Sequence, residues 1–216
     1  MSKPKASPAT RRKRRSTEEI FDRIIAAAGK VFQECGYSGA TTAAIARQAD
    51  VTEAQIFRLF PSKAELFREA IFRPLNRHFS EFQSRHLAAI GDAEPVRELA
   101  GRYINELQDF IAEHSGMLMS LIVANAYSPG AAERISEIDG LKAYFERGTA
   151  TMSGHTKGKA AVRPEAMVRI SFAAVLASVL FRDLLFPQGL VDDEEMRKAI
   201  VDFTIGGVSA NWEPGW

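Results

Sequence analysis

Apolar residues between positions 17 and 35 recur at steps of one, three and four, the spacing of one face of an amphipathic helix. Ser16 precedes this stretch and Glu19 lies three residues after Ser16, which is the spacing of a capping box. Gly36 follows the stretch and can adopt the positive φ that often ends a helix. The pattern predicts a first helix over residues 17–35.

Three shorter amphipathic units follow, at residues 42–48, at 52–59 and from 62 onward, with only a short link between the first two. Thr52 with Gln55 and Ser62 with Glu65 again have capping-box spacing. Two short helices joined by a tight turn form a helix-turn-helix, and they must pack on a longer helix because they are marginal alone. The apolar residues available for that packing are Ala43, Ile45, Ala46, Val51, Ile56 and Phe60, opposite Ile24, Ala28 and Phe32 of the first helix.

The rest of the chain also has helical patterns, so the predicted fold class is all-α. We expect the unit that begins at Ser62 to continue to about residue 85, kinked by Pro74. Further helices are predicted over residues 95–113, 117–125, 131–147, 164–186 and 192–209. Residues 148–163 contain three glycines and many small polar side chains, and they predict a mobile loop.

Composition narrows the class of protein. The chain has 216 residues, of which 46% are hydrophobic, and these suffice for a globular core. No apolar run reaches the roughly 18 residues of a membrane span, and the basic start lacks the apolar segment of a signal peptide. Cys35 is the single cysteine, so an internal disulfide and a zinc-cysteine cluster are excluded. We therefore expect a cytoplasmic protein in which Cys35 is a small buried hydrophobe, with redox sensing as the alternative.

The net charge of +1 conceals a strong asymmetry along the sequence. Residues 1–15 contain no acid and seven bases, namely Lys3, Lys5, Arg11, Arg12, Lys13, Arg14 and Arg15. A like-charged block with two prolines cannot bury enough surface to fold, so we expect a mobile arm attracted to polyanions, of which DNA is the obvious one. A solvated tail without a specific partner is the alternative.

Residues 36–71 resemble the amino-terminal DNA-binding domain of the TetR family of bacterial transcriptional repressors. The resemblance is carried by a series of positions through the three short units, namely Gly36, Tyr37, Thr41, Thr42, Ile45, Ala46, Val51, Phe57, Phe60, Ser62, Lys63 and Leu66. It implies a basic arm at residues 1–15, a helix-turn-helix domain at 16–75, and a helical ligand-binding and dimerisation domain at 76–216. It also implies a homodimer that binds a pseudo-palindromic DNA operator and is released from it by a small ligand.

The resemblance places residues 52–59 in the major groove as the recognition helix. Gln55 can bond adenine bidentately, and Arg58 can bond guanine or a phosphate. Each side chain has a structural alternative, since Gln55 is also the expected capping partner of Thr52 and a lone arginine is often only a solvated base. The predicted DNA-contacting residues are Arg11, Arg12, Lys13, Arg14, Arg15, Thr41, Thr42, Thr52, Glu53, Ala54, Gln55, Phe57, Arg58 and Lys63.

Three positions depart from the family pattern. Phe57 stands where a tyrosine is usual, so it lacks a hydroxyl for a phosphate and retains contact with a thymine methyl or stacking. Asp50 replaces the turn glycine, and we expect it to take the left-handed conformation that Asp tolerates. Glu53 repels phosphate but can accept a hydrogen bond from cytosine. We expect the arm to compensate for this nearly neutral domain, so that its deletion weakens DNA binding and reduces the salt dependence.

Residues 76–216 carry the implied effector pocket and dimer interface. The predicted pocket residues are mainly aromatic, namely Phe82, Tyr103, Leu107, Phe110, Met117, Asn125, Tyr127, Phe145 and Phe172, although such residues at helical spacing also form ordinary cores. The predicted interface residues lie on the last two helices and are Phe172, Val175, Leu176, Val179, Leu180, Met196, Ile200, Phe203 and Gly207.

Other function classes find little support in the sequence. It contains no nucleotide-binding or hydrolase motif, and its four histidines lack metal-ligand spacing, so we expect no metal, no cofactor and no enzymatic activity. An enzyme on a helical scaffold, a helical DNA-binding protein without an inducer, and a helical scaffold bound to anionic lipid through the arm are the alternatives. The lipid alternative lacks the amphipathic basic helix that it requires.

Overall fold

The computed structural model describes residues 16–88, 96–128, 130, 137–156 and 162–209, and these ranges are helical and contain no strand. The first half of the chain forms α1 (Thr17–Gly39), α2 (Thr42–Ala49), α3 (Glu53–Leu59), α4 (Lys63–Phe67), a π-helix (Arg68–Phe72) and α5 (Arg73–Ala88). The second half forms α6 (Val96–Glu113), α7 (Ser115–Tyr127), α8 (Asp139–Thr156), α9 (Pro164–Leu180), α10 (Arg182–Leu185) and α11 (Asp193–Ser209). The predicted all-α class is confirmed.

Helix starts follow the capping signals in the sequence. The Ser16 hydroxyl accepts from the Glu19 backbone N–H at 3.1 Å, and the Glu19 carboxylate accepts from the Ser16 N–H at 2.8 Å. Asp192 likewise accepts from the Glu195 N–H at 2.8 Å, before α11. Gly36 has φ 67° and interrupts the regular geometry of α1, which agrees with the predicted end of the helix at residue 35. One further turn follows it, to Gly39. These local contacts fix where the helices begin and how the first one ends.

Helices α2 and α3 pack against α1, as predicted. Ile24, Ala28 and Phe32 are fully buried and meet Ile45 of α2 and Ile56 of α3 in one core. Two expectations are wrong. Ala43 is exposed because it falls on the outer side of α2, and Cys35 is exposed because it lies with Gln33 and Glu34 on the outer side of α1.

The segment after Ser62 is not one α-helix with a kink. Residues 68–72 form a π-helix, in which the Arg73 N–H donates to the Arg68 carbonyl five residues earlier. Pro74 has no N–H to offer the Ala70 carbonyl, and a wider turn just before it accommodates this missing bond. The π-helix therefore lies at the joint between the helix-turn-helix and α5.

The predicted loop at residues 148–163 is wrong for its first half, because α8 continues to Thr156. Gly148 serves as a contact point between helices, since a Cβ there would lie 2.8 Å from Cγ1 of Val168 on α9. The helix predicted over 131–147 is present as α8 from Asp139 onward, and residues 131–136 lie outside the described ranges. The predicted helix over 164–186 is interrupted at Phe181, and Arg182 in the following turn pairs with Asp193 of α11.

The helices beyond α5 form a core that continues into the helix-turn-helix. Helix α8 packs between α5 and α9, and α6 packs against α9 and α11. Helix α7 packs along α1, where the buried Ser120 hydroxyl donates to the Phe32 carbonyl at 3.0 Å. The α1–α7 contact is thus a direct mechanical link between the two parts of the chain.

Candidate DNA-binding surface and effector region

Helix α2 is held at both ends by residues close in sequence. The Thr41 hydroxyl accepts from the Ala44 N–H at 3.1 Å and caps the helix, so Thr42 is the first helical residue. Asp50 ends it in the left-handed conformation (φ 52°, ψ 52°), as predicted, and is the single non-glycine residue with positive φ in the described ranges. Its carboxylate lies 3.4 Å from Arg23 of α1. The turn before α3 is therefore anchored to the long helix although it lacks glycine.

Helix α3 opens with a complete capping box. The Thr52 hydroxyl accepts from the Gln55 N–H at 3.2 Å, and the Gln55 side-chain oxygen accepts from the Thr52 N–H at 2.9 Å. The structural role predicted for Gln55 is thus present in this structure. Because the amide oxygen is engaged, a bidentate contact of Gln55 with adenine requires the capping box to open.

The outer face of α3 is available for contact. Ile56 is 1% exposed and anchors the helix, while Ala54, Phe57 and Arg58 are exposed. Phe57 keeps 50% of its surface accessible, which is unusual for a large apolar side chain on a short helix. An apolar ring beside a guanidinium can meet a thymine methyl and a guanine edge or phosphate, respectively.

Glu53 is tied to the helix before it. Its carboxylate accepts a 2.6 Å hydrogen bond from the Thr42 hydroxyl, which joins the starts of α2 and α3. The hydroxyl hydrogen of Thr42 is thereby used within the protein, so this side chain cannot donate to a phosphate while the bond is made, and a phosphate contact at this helix start has to come from backbone N–H groups. Sequence reasoning treated the two residues separately and missed their pairing.

Lys63 is not an ordinary solvated base. Its Nζ lies 4.7 Å from the centroid of the Tyr37 ring, within the range of a cation–π contact. Partial burial lowers the pKa of Lys63 and raises the pKa of Tyr37. The ring therefore positions this cation at the start of α4, beside the Ser62 cap.

The basic arm lies outside the described residues. The DNA contacts predicted for Arg11, Arg12, Lys13, Arg14 and Arg15 therefore stay a prediction.

The predicted pocket residues mostly meet in one aromatic cluster between α5, α6, α8 and α9. Phe110 contacts Phe79 and Phe82 with ring centroids 4.5 and 4.9 Å apart, and Phe172 contacts Phe145 at 5.4 Å. Leu107 is buried, and Met117 packs partly buried against the same core. Tyr127 is 80% exposed at the end of α7, so its assignment to an interior pocket is wrong. Asn125 instead donates to the Leu121 carbonyl of its own helix at 2.9 Å.

A polar chain crosses this cluster and was not predicted. Gln83, 5% exposed, donates to the Tyr103 hydroxyl at 2.8 Å and accepts from Arg147 of α8. Burial raises the pKa of Tyr103 strongly, and burial raises the pKa of Tyr144, stacked on it at 5.9 Å, to about 12. The signal in the sequence was Gln83 itself, a polar residue four positions after Phe79 on an apolar stripe. The chain gives this core a hydrogen-bonding centre.

The predicted dimer-interface residues divide into three sets by their exposure. Phe172, Val175, Met196 and Ile200 are at most 7% exposed and belong to the core of this chain, so their assignment to an interface is wrong. Leu176, Val179 and Leu180 pack against that core in part. Phe203 is 69% exposed and Gly207 is exposed. Both α9 and α11 are buried on one side by α6, and the sequence pattern, apolar almost all round α9, does not show which side that is.

Other large apolar residues are exposed near the same two helices. Ile170 on α9 is 59% exposed, and Leu184 and Leu190 between α9 and α11 are 78% and 59% exposed. We refer to these three residues and Phe203, all exposed on or between α9 and α11, as the outer apolar face. In the described ranges, no cluster of three or more His, Cys, Asp or Glu side chains could hold a metal ion, and no helix is long and apolar enough to cross a membrane.

Comparisons with known proteins agree with the geometry of the amino-terminal helices. Residues 24–70 match the family model described as bacterial regulatory proteins, tetR family. No curated protein sequence matches the chain. The matched segment runs from Ile24 in α1 to Ala70 in the π-helix and so contains the whole helix-turn-helix.

Solved structures share the fold over nearly the whole chain. A TetR-like transcriptional regulator from Rhodococcus sp. RHA1 is 18% identical with a TM-score of 0.64, over 88% of this chain and 96% of that one. A transcriptional regulator from Pseudomonas aeruginosa PAO1 is 18% identical with a TM-score of 0.64, over 93% and 98%. The Bacillus subtilis transcriptional regulator FadR, solved in complex with stearoyl-CoA, is 17% identical with a TM-score of 0.58, over 87% and 98%.

Proposed function

We propose that this chain, which belongs to the TetR family of bacterial regulatory proteins, represses transcription as a homodimer on a pseudo-palindromic operator and leaves it when a small ligand binds. It is a DNA-binding regulator with a helix-turn-helix. The observation that carries the proposal is the outer face of α3, where Ala54, Phe57 and Arg58 are exposed on a helix capped by Thr52 and anchored by Ile56.

Each side chain of this surface has a distinct task in the proposed complex. Phe57 and Ala54 meet thymine methyl groups, and Arg58 bonds guanine or a phosphate. Lys63, held by Tyr37, and the helix start at Thr41 bind phosphates and set the orientation of α3 in the groove. The basic arm of residues 1–15 adds phosphate contacts that compensate for the acids of the helix-turn-helix.

Dimer formation is supported by the outer apolar face. One short recognition helix reads only a few base pairs, so affinity and specificity require two half-sites and two protomers. Phe203 exposes more than half of its surface three and four residues before Gly206 and Gly207 on α11, where a partner helix can approach closely, and Ile170 of α9 is exposed to a similar extent. The interface is therefore proposed on this face, and not through the buried residues of α9 and α11.

Ligand control is supported by the fold and by the contacts between its two parts. The FadR structure of the same fold holds stearoyl-CoA, and the present chain has a polar centre in its aromatic cluster. A ligand releases DNA only if it binds the DNA-incompetent conformation more tightly. The α1–α7 contact and the π-helix connect the cluster to α3 and are where such a change of conformation passes.

Selection of bound duplexes from a random DNA pool tests the proposal. The wild-type chain should enrich a palindromic motif, whereas a Phe57→Ala, Arg58→Ala variant should not enrich it. An Arg77→Ala variant, which removes a cation from α5, serves as the matched control and should recover the wild-type motif. Enrichment of no motif by the wild type, or of the same motif by the double variant, would contradict the assignment of α3.

A further inference from the structure

A buried amide in α6 has one satisfied and one unsatisfied end. Gln108 is 2% exposed, and its nitrogen donates to Asn105 Oδ1 and to the Arg197 carbonyl, both at 3.4 Å. Since both partners are acceptors, the nitrogen end of the amide is the one that faces them. Its oxygen, Oε1, is buried and receives no hydrogen bond from the residues that the structure describes. Native proteins rarely leave a buried carbonyl without a donor, because the desolvated oxygen is costly.

Gln108 also lines a cavity of about 320 Å³ between the α6–α7 junction, the end of α9 and the start of α11. Its apolar walls are formed by Ala112, Val179, Leu180 and Met196. The volume is at the lower end of the roughly 300–1,000 Å³ of ligand sites in proteins. This cavity lies apart from the aromatic cluster that contains most of the predicted pocket residues. None of Phe82, Phe110, Phe145 and Phe172 of that cluster lines it.

The charges around the cavity compensate each other. Arg182 pairs with Asp193, and Arg197 Nη1 lies 2.6 Å from Asp109 Oδ1. Both cations at the rim therefore already have a carboxylate partner, and the site offers no unmatched charge to an ionic ligand. Its walls are apolar, and the unsatisfied Oε1 of the lining residue Gln108 is buried beside them, so its complement is a neutral apolar molecule with one donor that meets this oxygen when the amide turns.

We propose that this cavity binds a small neutral molecule with an apolar ring and one O–H or N–H donor, as in simple phenols and indoles, and that Gln108 Oε1 accepts its hydrogen bond. The two 3.4 Å hydrogen bonds of the amide are long, so turning its oxygen toward the cavity costs little. The regulatory consequence rests on the proposed function. Ala112 and Ser115 border the cavity on both sides of the α6–α7 junction, and α7 packs along α1 of the helix-turn-helix.

Binding is measured with 4-fluorophenol as the probe, by fluorine NMR on the full chain without DNA, and fluorobenzene is the probe without a donor. The Gln108→Leu variant should bind 4-fluorophenol about tenfold more weakly than the wild type, since one buried hydrogen bond is lost. Its affinity for fluorobenzene should equal that of the wild type. Equal 4-fluorophenol affinity in both proteins, or fluorobenzene bound as tightly as 4-fluorophenol by the wild type, would overturn the proposal.

A second variant tests the location independently of Gln108. Ala112→Phe fills the cavity from an exposed position of α6 and should abolish binding of both probes while the helical circular dichroism remains that of the wild type. Undiminished binding by a folded Ala112→Phe chain would overturn the site. DNA affinity measured with and without 4-fluorophenol separates the two proposals. If the chain recognises DNA but does not bind 4-fluorophenol, the cavity proposal alone is refuted. If it binds 4-fluorophenol with no change in DNA affinity, the regulatory role of the cavity is refuted.

Discussion

The two parts of the chain satisfy their polar side chains in different ways. In the helix-turn-helix, Ser16, Thr41, Thr52 and Ser62 cap helices through partners three residues away. From α5 onward, the buried Gln83 of α5 has its partners on α6 and α8, which lie 20 and 64 residues further along the chain. The helix starts of the DNA-binding part are therefore determined by contacts within a few residues, whereas the buried polar contacts of the effector part depend on the packing of distant helices.

The largest expected effect on stability comes from a substitution at the contact between the two parts. Phe32 is fully buried, its ring contacts Phe67 at 4.9 Å, and its carbonyl accepts from Ser120 of α7. Phe32→Ala should lower the free energy of unfolding by about 3–5 kcal/mol, because it leaves a cavity in the shared core. The measurement is urea unfolding followed by circular dichroism.

Phe57→Ala is the matched control, because this ring is 50% exposed on the outer face of α3. It should change the free energy of unfolding by less than about 0.5 kcal/mol. Similar values for the two variants would show that α1 is not the structural centre that joins the two parts.

The same contrast explains what the sequence could and could not predict. The capping boxes at Ser16 and Thr52 and the left-handed Asp50 were predicted correctly, because each depends on neighbours within a few residues. The helical continuation through Gly148 was missed, because its reason is the approach of Val168 from another helix. Composition alone reads such a glycine as a turn signal.

The candidate sites divide in the same way. The exposed Arg58 and Phe57 of α3 followed from the motif, whereas the pairing of Thr42 with Glu53 joins two helices and has no signal in either one. The burial of Val175 and the exposure of Phe203 were likewise beyond the sequence, since both positions are apolar. Which apolar face meets the core is decided by packing, and this explains the misassigned interface residues.

An intermediate effect is expected on the pH dependence of stability, through His114 at the start of α7. The His114 ring stacks on His78 of α5 at 4.6 Å, in a groove that also contains Arg77, Glu81, Arg85 and Glu113. Burial first, and the charge of His78 second, lower the pKa of His114 below its ordinary 6.5, while Glu113 opposes this shift. The folded chain therefore binds this proton less tightly than the unfolded chain does.

The contribution of His114 to stability is thus full above the ordinary histidine pKa and is lost as the pH falls through the lowered pKa. The free energy of unfolding should decrease from about pH 7 to pH 5, and His114→Phe, which keeps a ring in the stack, should reduce that decrease. Urea unfolding at both pH values measures it. A decrease of the same size in the variant would remove His114 as its cause.

The smallest expected effect sharpens the local side of the comparison. Asp50→Gly relieves the left-handed strain at φ 52° and loses an exposed contact with Arg23. The two changes nearly offset each other, so the thermal midpoint should rise slightly, by an amount equivalent to about 0.5 kcal/mol or less. Asp50→Val, which cannot relax there, should lower it instead. A drop for glycine as large as for valine would show that the Arg23 contact dominates.

The central claim is that α3 reads DNA through its exposed side chains, and one affinity comparison tests it most directly. Fluorescence anisotropy with the selected duplex, at fixed near-physiological salt, measures the wild type, Arg58→Ala and the control Arg77→Ala. The account predicts a loss of about 1–3 kcal/mol of binding free energy for Arg58→Ala and almost none for Arg77→Ala. Equal affinities for all three proteins, with the chains folded, would contradict it.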